Sequence, residues 1–437
     1  MNRVMKDSGI EWIGEIPEMW TVEMTRHIFS QRNTKGNETP VLLAATQKCG
    51  MIPQEKLEGV VQVKRDTNLQ TFKTIHKGDF VISLRSFQGG FEMSDYEGVC
   101  SPAYQVFYST KEIIHQYYKY LFKSENFINK VNSFTVGIRE GKNIQYVDFS
   151  YMRLPYPPLE IQQRIATFLD SKCGEVDSMI ALQEEMISEL QAYKQSVITE
   201  AVTHGLNPNV KMKDSGIEWI GEIPENWKVC NFRQIISILT DYTANGSFGD
   251  LAKNVKYISR PDYSRLVRLT DLRQNLNNEE GVWVNQYAHE YLNKSELYGG
   301  ELLLANVGAY SGLACIMPNI GFKATLGPNM FFLKLKNNYC IESYMYYLLN
   351  APVYFNTLQM IASATAQPKL NKDNIRCLRI LFPNSINEQK QIAAYLDTKC
   401  SDIDRLISLK QEKIEYLKAY KQSIIYEYVT GKVSVRC

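Results

Sequence analysis

No run of about 18 apolar residues occurs in this 437-residue sequence, which excludes the ordinary signature of a membrane-spanning helix. Its start, MNRVMKDSGIEW, lacks the apolar stretch of a secretory signal, so a cytoplasmic protein is expected. Histidine is scarce, with five residues at positions 27, 76, 115, 204 and 289, and none falls at metal-ligand spacing. The nine cysteines are odd in number and contain no CxxC, so they read as reduced thiols and no metal site is expected. Signatures of catalysis are also missing. There is no Asn-Pro-Pro-Tyr or Asp-Pro-Pro-Tyr, no GxxxxGK[ST] phosphate loop and no clustered Asp, Glu and Lys set of a nuclease. A chain without catalytic residues and without a cofactor is therefore expected. What is present is 44% hydrophobic and 11% aromatic residues, enough for two to four folded domains.

The chain repeats itself. Lys6 to Glu18 reads KDSGIEWIGEIPE, and Lys213 to Glu225 reads the same thirteen residues. Leu169 to Cys173 (LDSKC) returns as Leu396 to Cys400 (LDTKC), and Ala192 to Ser196 (AYKQS) returns unchanged at Ala419 to Ser423. The first echo is offset by 207 residues and the others by 227, so a duplicated frame carries two inserts that differ in length by 20 residues. Charge follows the same division. The net charge of +2 resolves into +4 for residues 21–158, +5 for residues 228–383 and −7 for the shared frame. A basic surplus in both inserts fits a polyanionic partner.

Proline is absent from Leu159 to Thr203 and again after Pro383. Over the first stretch, apolar residues at Ile165, Leu169, Cys173, Val176, Ile180, Ile187, Leu190, Val197 and Ala201 keep a spacing near 3.5. The second copy matches at Ile392, Leu396, Cys400, Ile403, Ile407, Ile414, Leu417, Ile424 and Tyr428. The pattern predicts two long amphipathic helices whose seams fit one another. A helix of about 45 residues would be about 67 Å long, a spacer or docking rod. Gln183 and Lys410 interrupt the two seams at equivalent positions; each either fixes register or sits at a seam edge. Gly174 weakens the first helix and offers a place for a kink. Pairing about a two-fold axis perpendicular to the helices would make them antiparallel and put one insert at each end. Two heads so placed could meet successive turns of a DNA duplex, each about 34 to 36 Å.

Both inserts read as mixed α and β. In the first, Gly78 to Arg85 is a buried-strand pattern leading into the glycine turn at 86–90, with another strand near Tyr104 to Tyr108. In the second, residues 299–312 give strand then glycine-rich turn, and Asn329 to Lys336 the next strand. Tyrosine-rich helices are expected at about Ile113 to Asn132 and Ile341 to Leu358. Polar segments at 133–143 and 363–371 then lie immediately before a strand that leads into each long helix.

The repeated SGIEWIGEIPExW, the run ProTyrProProLeuGluIleGlnGlnArgIleAlaThrPheLeuAsp at 155–170 and the twin AlaTyrLysGlnSer resemble the specificity subunits of type I restriction-modification systems over essentially the whole chain. One departure is PhePro at 382–383 followed by AsnSerIleAsnGluGln, in place of the double proline before the first helix. The resemblance implies an α+β fold. Two mixed α/β target recognition domains would be joined by two long helices that pair as an antiparallel coiled coil, with an internal pseudo-two-fold from tandem duplication. The expected division is 1–158 for the first target recognition domain with its N-terminal conserved segment and 159–203 for the first spacer helix. Residues 204–383 would form the linker and second recognition domain, and 384–437 the second spacer helix and C-terminal conserved segment. The resemblance further implies that each domain reads one half of a split, asymmetric DNA site. The partners it implies are double-stranded DNA, two methyltransferase subunits and, through these, motor-nuclease subunits that do the chemistry. A free-standing two-headed DNA-binding regulator is the alternative; it shares the basic heads but leaves the acidic frame unexplained.

Base readout needs side chains that pair with base edges, and loops after strands are where to look. In the first head the candidates are Arg85, Gln88, Arg139, Lys142 and Asn143. In the second they are Asn306, Tyr310 and Ser311 with Gln367, Lys369 and Asn371. The basic, aromatic loop at 260–265 adds Arg260 and Arg265 as candidate backbone contacts. Thr34 to Glu38 and Tyr242 to Gly249 are further loops without an assigned task. For helix pairing the candidates are Ile180, Gln183, Ile187 and Leu190 against Ile407, Lys410, Ile414 and Leu417.

Overall fold

The structure is a computed structural model that describes residues 4–36, 41–47, 49–57, 69–83, 90–133, 144–278, 281–363 and 368–435. It contains two compact units. One comprises Met1–Glu184 with Lys410–Cys437, and the other Glu185–Leu409. The boundaries fall inside the two long helices, Leu159–His204 and Ile386–Val429, so each unit contains part of both.

The helices begin where backbone donors find acceptors. Pro157 and Pro158 cannot continue a helix backwards. Ile161 N–H donates to the Pro158 carbonyl at 2.9 Å, and the buried Gln162 amide donates to the Pro157 carbonyl at 2.8 Å. The second helix starts without the double proline by using Ser385, whose hydroxyl accepts from Glu388 N–H at 3.4 Å, while Gln389 repeats the role of Gln162 toward Pro383 at 2.9 Å. Beyond the two C-terminal ends, Gly205 (φ +79°) and Gly431 (φ +71°) adopt left-handed conformations. Gly174 stays helical, with open space where a side chain would project.

Each unit folds a head onto its helices. In the first unit, strands Phe29–Arg32, Gln105–Ser109, Phe80–Ile82 and Phe91–Met93 form, in that order, a four-stranded antiparallel sheet. In the second unit, Ile236–Asp241, Met330–Leu335, Leu302–Ala305 and Ala314–Ile316 form a sheet with the same sequence-order pattern. The repeated thirteen residues contribute to equivalent hairpins, with Lys6 opposite Ile16 in one and Lys213 opposite Ile223 in the other. A strand before each long helix, Arg153–Tyr156 or Arg379–Pro383, pairs antiparallel with the strand that opens each insert. The heads diverge outside this common part. The second carries a further mixed sheet, Val282–Val284, Ser264–Val267, Lys323–Leu326 and Glu296–Leu297, in which the middle two strands are parallel.

The tyrosine-rich segments differ from the single helices expected. Residues 113–132 divide into His115–Lys123 and Glu125–Asn132, because Ser124 is extended and its hydroxyl donates to the Leu121 carbonyl at 2.7 Å. Residues 341–358 divide into Glu342–Asn350 and Pro352–Ala362. Pro352 begins the second of these, and Ala351 before it is extended, as a residue preceding proline prefers. Two short helices, Tyr146–Ser150 and Lys372–Cys377, stand between the polar loops and the strands that were expected to follow at once.

The first unit's core joins Phe29, Phe80, Phe107, Phe122 and Phe149 to Leu169, Ile424 and Val429 of the long helices. The second joins Trp227, Leu302, Leu333 and Tyr344 to Val202, Ile392 and Leu396. At about 1.5 to 3 kcal/mol per fully buried large apolar side chain, such packing rather than helix propensity holds these helices in place.

Candidate nucleic-acid interface

In the second head, the strand Leu302–Ala305 turns into a loop closed by Gly312 N–H donating to the Ala305 carbonyl at 2.8 Å. That loop meets the segment before the helix Lys372–Cys377. Gly308 N–H donates to the Pro368 carbonyl at 2.9 Å, Leu370 N–H to the Asn306 carbonyl at 2.8 Å, and Val307 bridges Lys369. The two separately predicted loops thus form one cleft of about 380 Å³, with Asn306 and Lys369 among its lining residues and Tyr242 and Phe248 beside them. Asn306 is buried, whereas Lys369, Asn371 and Phe248 are exposed. Asn371 also caps its helix, its Oδ1 accepting from Asn374 N–H at 2.7 Å. Lys372 pairs with Asp241 at 3.1 Å, and Asn329 adopts φ +67° at the cleft wall.

Four other candidates sit differently. Ser311 is fully buried, and its hydroxyl donates to the Gly308 carbonyl at 2.7 Å, which fixes the loop from within. Tyr310 is exposed, with the Arg273 guanidinium 4.2 Å from its ring centre. Arg265 points inward. Its Nη2 donates to Asn278 Oδ1 at 2.9 Å and lies 3.6 Å from the buried Asp271 carboxylate. Burial pushes the Asp271 pKa up, but hydrogen bonds from Arg268 and Asn278 outweigh it and leave the carboxyl below its ordinary value. Arg265 lies on the strand Ser264–Val267 rather than in the expected loop, whereas Arg260, before that strand, is exposed.

In the first head, Ser83 N–H donates to the Gly90 carbonyl at 2.8 Å, beside the strands Phe80–Ile82 and Phe91–Met93. Arg85, Gln88, Arg139, Lys142 and Asn143 lie outside the described residues, as does Gln367 of the second head.

The long helices pair antiparallel within each unit. In the first unit Asp177 pairs with Lys421 at 2.6 Å, Gln183 Oε1 accepts from Lys410 Nζ at 3.5 Å, and the Phe168 and Tyr428 rings are 4.4 Å apart. In the second, Lys194 pairs with Asp404 at 2.7 Å, the same contact with the repeats exchanged. Surface ion pairs contribute only about 0 to 1 kcal/mol, so these fix register more than stability. Gln183, Ile414 and Leu417 are buried; Ile180, Ile187, Leu190, Ile407 and Lys410 are half-buried. Tyrosines lock the ends. Tyr117 donates to the Val429 carbonyl at 2.7 Å and Tyr344 to the Val202 carbonyl at 3.1 Å. Tyr120 and Tyr347 donate to Asp170 and Asp397 at 2.7 and 2.6 Å.

Residues 10–192 and 224–419 match the type I restriction modification DNA specificity domain. The chain belongs to this family. It is 24% identical over 451 aligned positions to the putative type I restriction enzyme MjaX specificity subunit of Methanocaldococcus jannaschii, covering 97% of this chain and 96% of that one. It is also 25% identical to the MjaVIII specificity subunit of the same organism, over 72% of this chain and 70% of that one. Among solved structures it is similar, at 16% identity and TM-score 0.71, to a chain from work on assembly and conformational transition of the type I R-M system, covering 96% of this chain and 99% of that one. The HsdS subunit of Thermoanaerobacter tengcongensis, also 16% identical, gives TM-score 0.52 over 96% and 98%.

Among the described residues, no group of three or more His, Cys, Asp or Glu could hold a metal ion, and no helix is long and apolar enough to cross a membrane. Burial pushes the Cys100 thiol up to about 12 and those of Cys173 and Cys315 to about 11, so they remain protonated at neutral pH. Sequence reasoning missed Phe248, Asn329 and Arg273. Phe248 stood in a loop already marked as unassigned, while the spacing around Asn329 and Arg273 carried no signal.

Proposed function

We propose that each head reads one half of a bipartite, asymmetric site in double-stranded DNA. The long helices fix the gap, and the frame docks two methyltransferase subunits that in turn carry motor-nuclease subunits. The observation that carries this reading is the common four-stranded sheet in two basic inserts whose loops differ, each held by parts of the same two helices. A duplicated scaffold with divergent loops suits two different half-sites. In this reading Asn306, Gln367, Lys369 and Asn371 meet DNA in the second head, and Arg85, Gln88, Arg139, Lys142 and Asn143 in the first. Tyr310 and Arg260 contact the rim or backbone, while Arg265 and Ser311 support from inside. Methyl transfer and ATP-driven steps belong to the partners, and the subunit supplies the address in the cytoplasm.

The test is long-read detection of modified bases in cells expressing this chain with its neighbouring methyltransferase, against cells lacking the chain. A split motif with a fixed gap, methylated only when the chain is present, is the expected result. If the two proteins associate and no chain-dependent methylation appears, the free-standing DNA-binding regulator replaces this reading.

A further inference from the structure

The cleft of the second head contains a buried polar atom that no described residue answers. The backbone of Asn306 is satisfied, its N–H donating to the Asn329 carbonyl at 3.1 Å and its carbonyl accepting from Leu370. Asn306 is only 7% exposed, and its Oδ1 is buried with no hydrogen-bond donor among the described residues. A buried amide oxygen left unpaired is costly, and native structures keep such a group where something else completes it. The neighbouring polar groups are engaged otherwise, Asn371 in capping its helix and Lys372 with Asp241.

We propose that Asn306 is a specificity-determining residue that recognises one adenine of the half-site read by this head. The inference rests on the DNA-reading function proposed above. A carboxamide offers an acceptor and a donor side by side. In the major groove adenine alone presents the complement, the N6 amino donor beside the N7 acceptor. Guanine shows two acceptors there, cytosine one donor, and thymine an acceptor beside a methyl group. The cleft rim suits the rest of a duplex. The exposed Lys369 ammonium makes no ion pair among the described residues and can meet a phosphate, and Phe248, 75% exposed, offers an apolar face to an adjoining base.

The experiment uses the full chain in complex with its methyltransferase. Once the split motif is known, each adenine of both half-sites is replaced in turn by 7-deazaadenine, which lacks N7, and binding is measured. The expected result is one position, in one half-site only, at which the replacement weakens wild-type binding about five- to a hundredfold. The Asn306→Ala complex should bind modified and unmodified duplexes equally there, and its methylated motif should be degenerate at that position with the other half-site and the gap unchanged. An unchanged motif in Asn306→Ala, discrimination that persists in it, or a loss of binding equal at every sequence overturns the proposal. If Asn306→Ala fails to fold, the wild-type replacement series and Asn306→Ser carry the same two outcomes. Absence of any split motif with the wild-type chain sinks the proposed function itself, a result distinct from those.

Discussion

Asp271 shows how much of the second head depends on single groups. Its carboxylate is fully buried and receives Arg268 twice, at 3.0 Å from Nε and 3.0 Å from Nη2, together with Asn278 at 2.7 Å. Removing it takes away the buried carboxylate that faces Arg265 and Arg268, and Asp271→Ala should destabilise the unit that contains it by about 3 to 5 kcal/mol in urea unfolding. Because the folded pKa is lowered, the stability contributed by ionisation is complete above the ordinary carboxyl value of about 3.9 and is lost as pH falls through the lowered one. Asp271→Asn should therefore lack part of the acid-induced loss seen in the wild type. Residue types in this region were legible in the sequence, but orientation was not. Arg260 and Arg265 look alike as basic loop residues, yet one is exposed and the other is turned inward by partners 6 to 13 positions further along the chain. The same holds for Ser311, whose hydroxyl is used by the loop that contains it.

At the scale of elements, the long helices were the most legible part, since neither strands nor loops sustain an apolar spacing near 3.5 over about 45 residues. The equivalence of Gln183 and Lys410 was visible too, and the pair meets at 3.5 Å. What local pattern could not reveal was the division of each tyrosine-rich helix, which depends on a serine capping the preceding turn and on a proline at a helix start. Nor could it bring Asn306 beside Lys369, because that contact is made by loops more than 60 residues apart. The seam makes its own prediction. Ile180→Glu or Ile407→Glu places a charge at a half-buried seam position and should cost about 1 to 2 kcal/mol. The result would appear as reduced co-purification with the methyltransferase or as an altered gap in the methylated motif. Normal assembly with normal spacing in both variants would refute the seam assignment.

For the whole molecule, the decisive fact is that neither unit is made from one repeat. The unit holding the first head uses Lys410–Cys437, and the Val429 carbonyl from that segment accepts the buried Tyr117 hydroxyl. A chain ending at Leu409 should keep the second unit folded, since Glu185–Leu409 is continuous, and should leave the first open around Ile165, Leu169 and Cys173, which belong to the same core as Ile424 and Val429. Hydrogen exchange would show protection retained in one unit and lost in the other; equal protection in both would contradict this division. The arrangement also orders events on the ribosome. The first head emerges early but waits for Lys410–Cys437, and at about 5 to 20 residues per second that delay lasts from roughly ten seconds to nearly a minute. The second unit, although synthesised later, has all its parts sooner. During synthesis the N-terminal half is thus the one that stays open to chaperones until Lys410–Cys437 has left the exit tunnel and closes it.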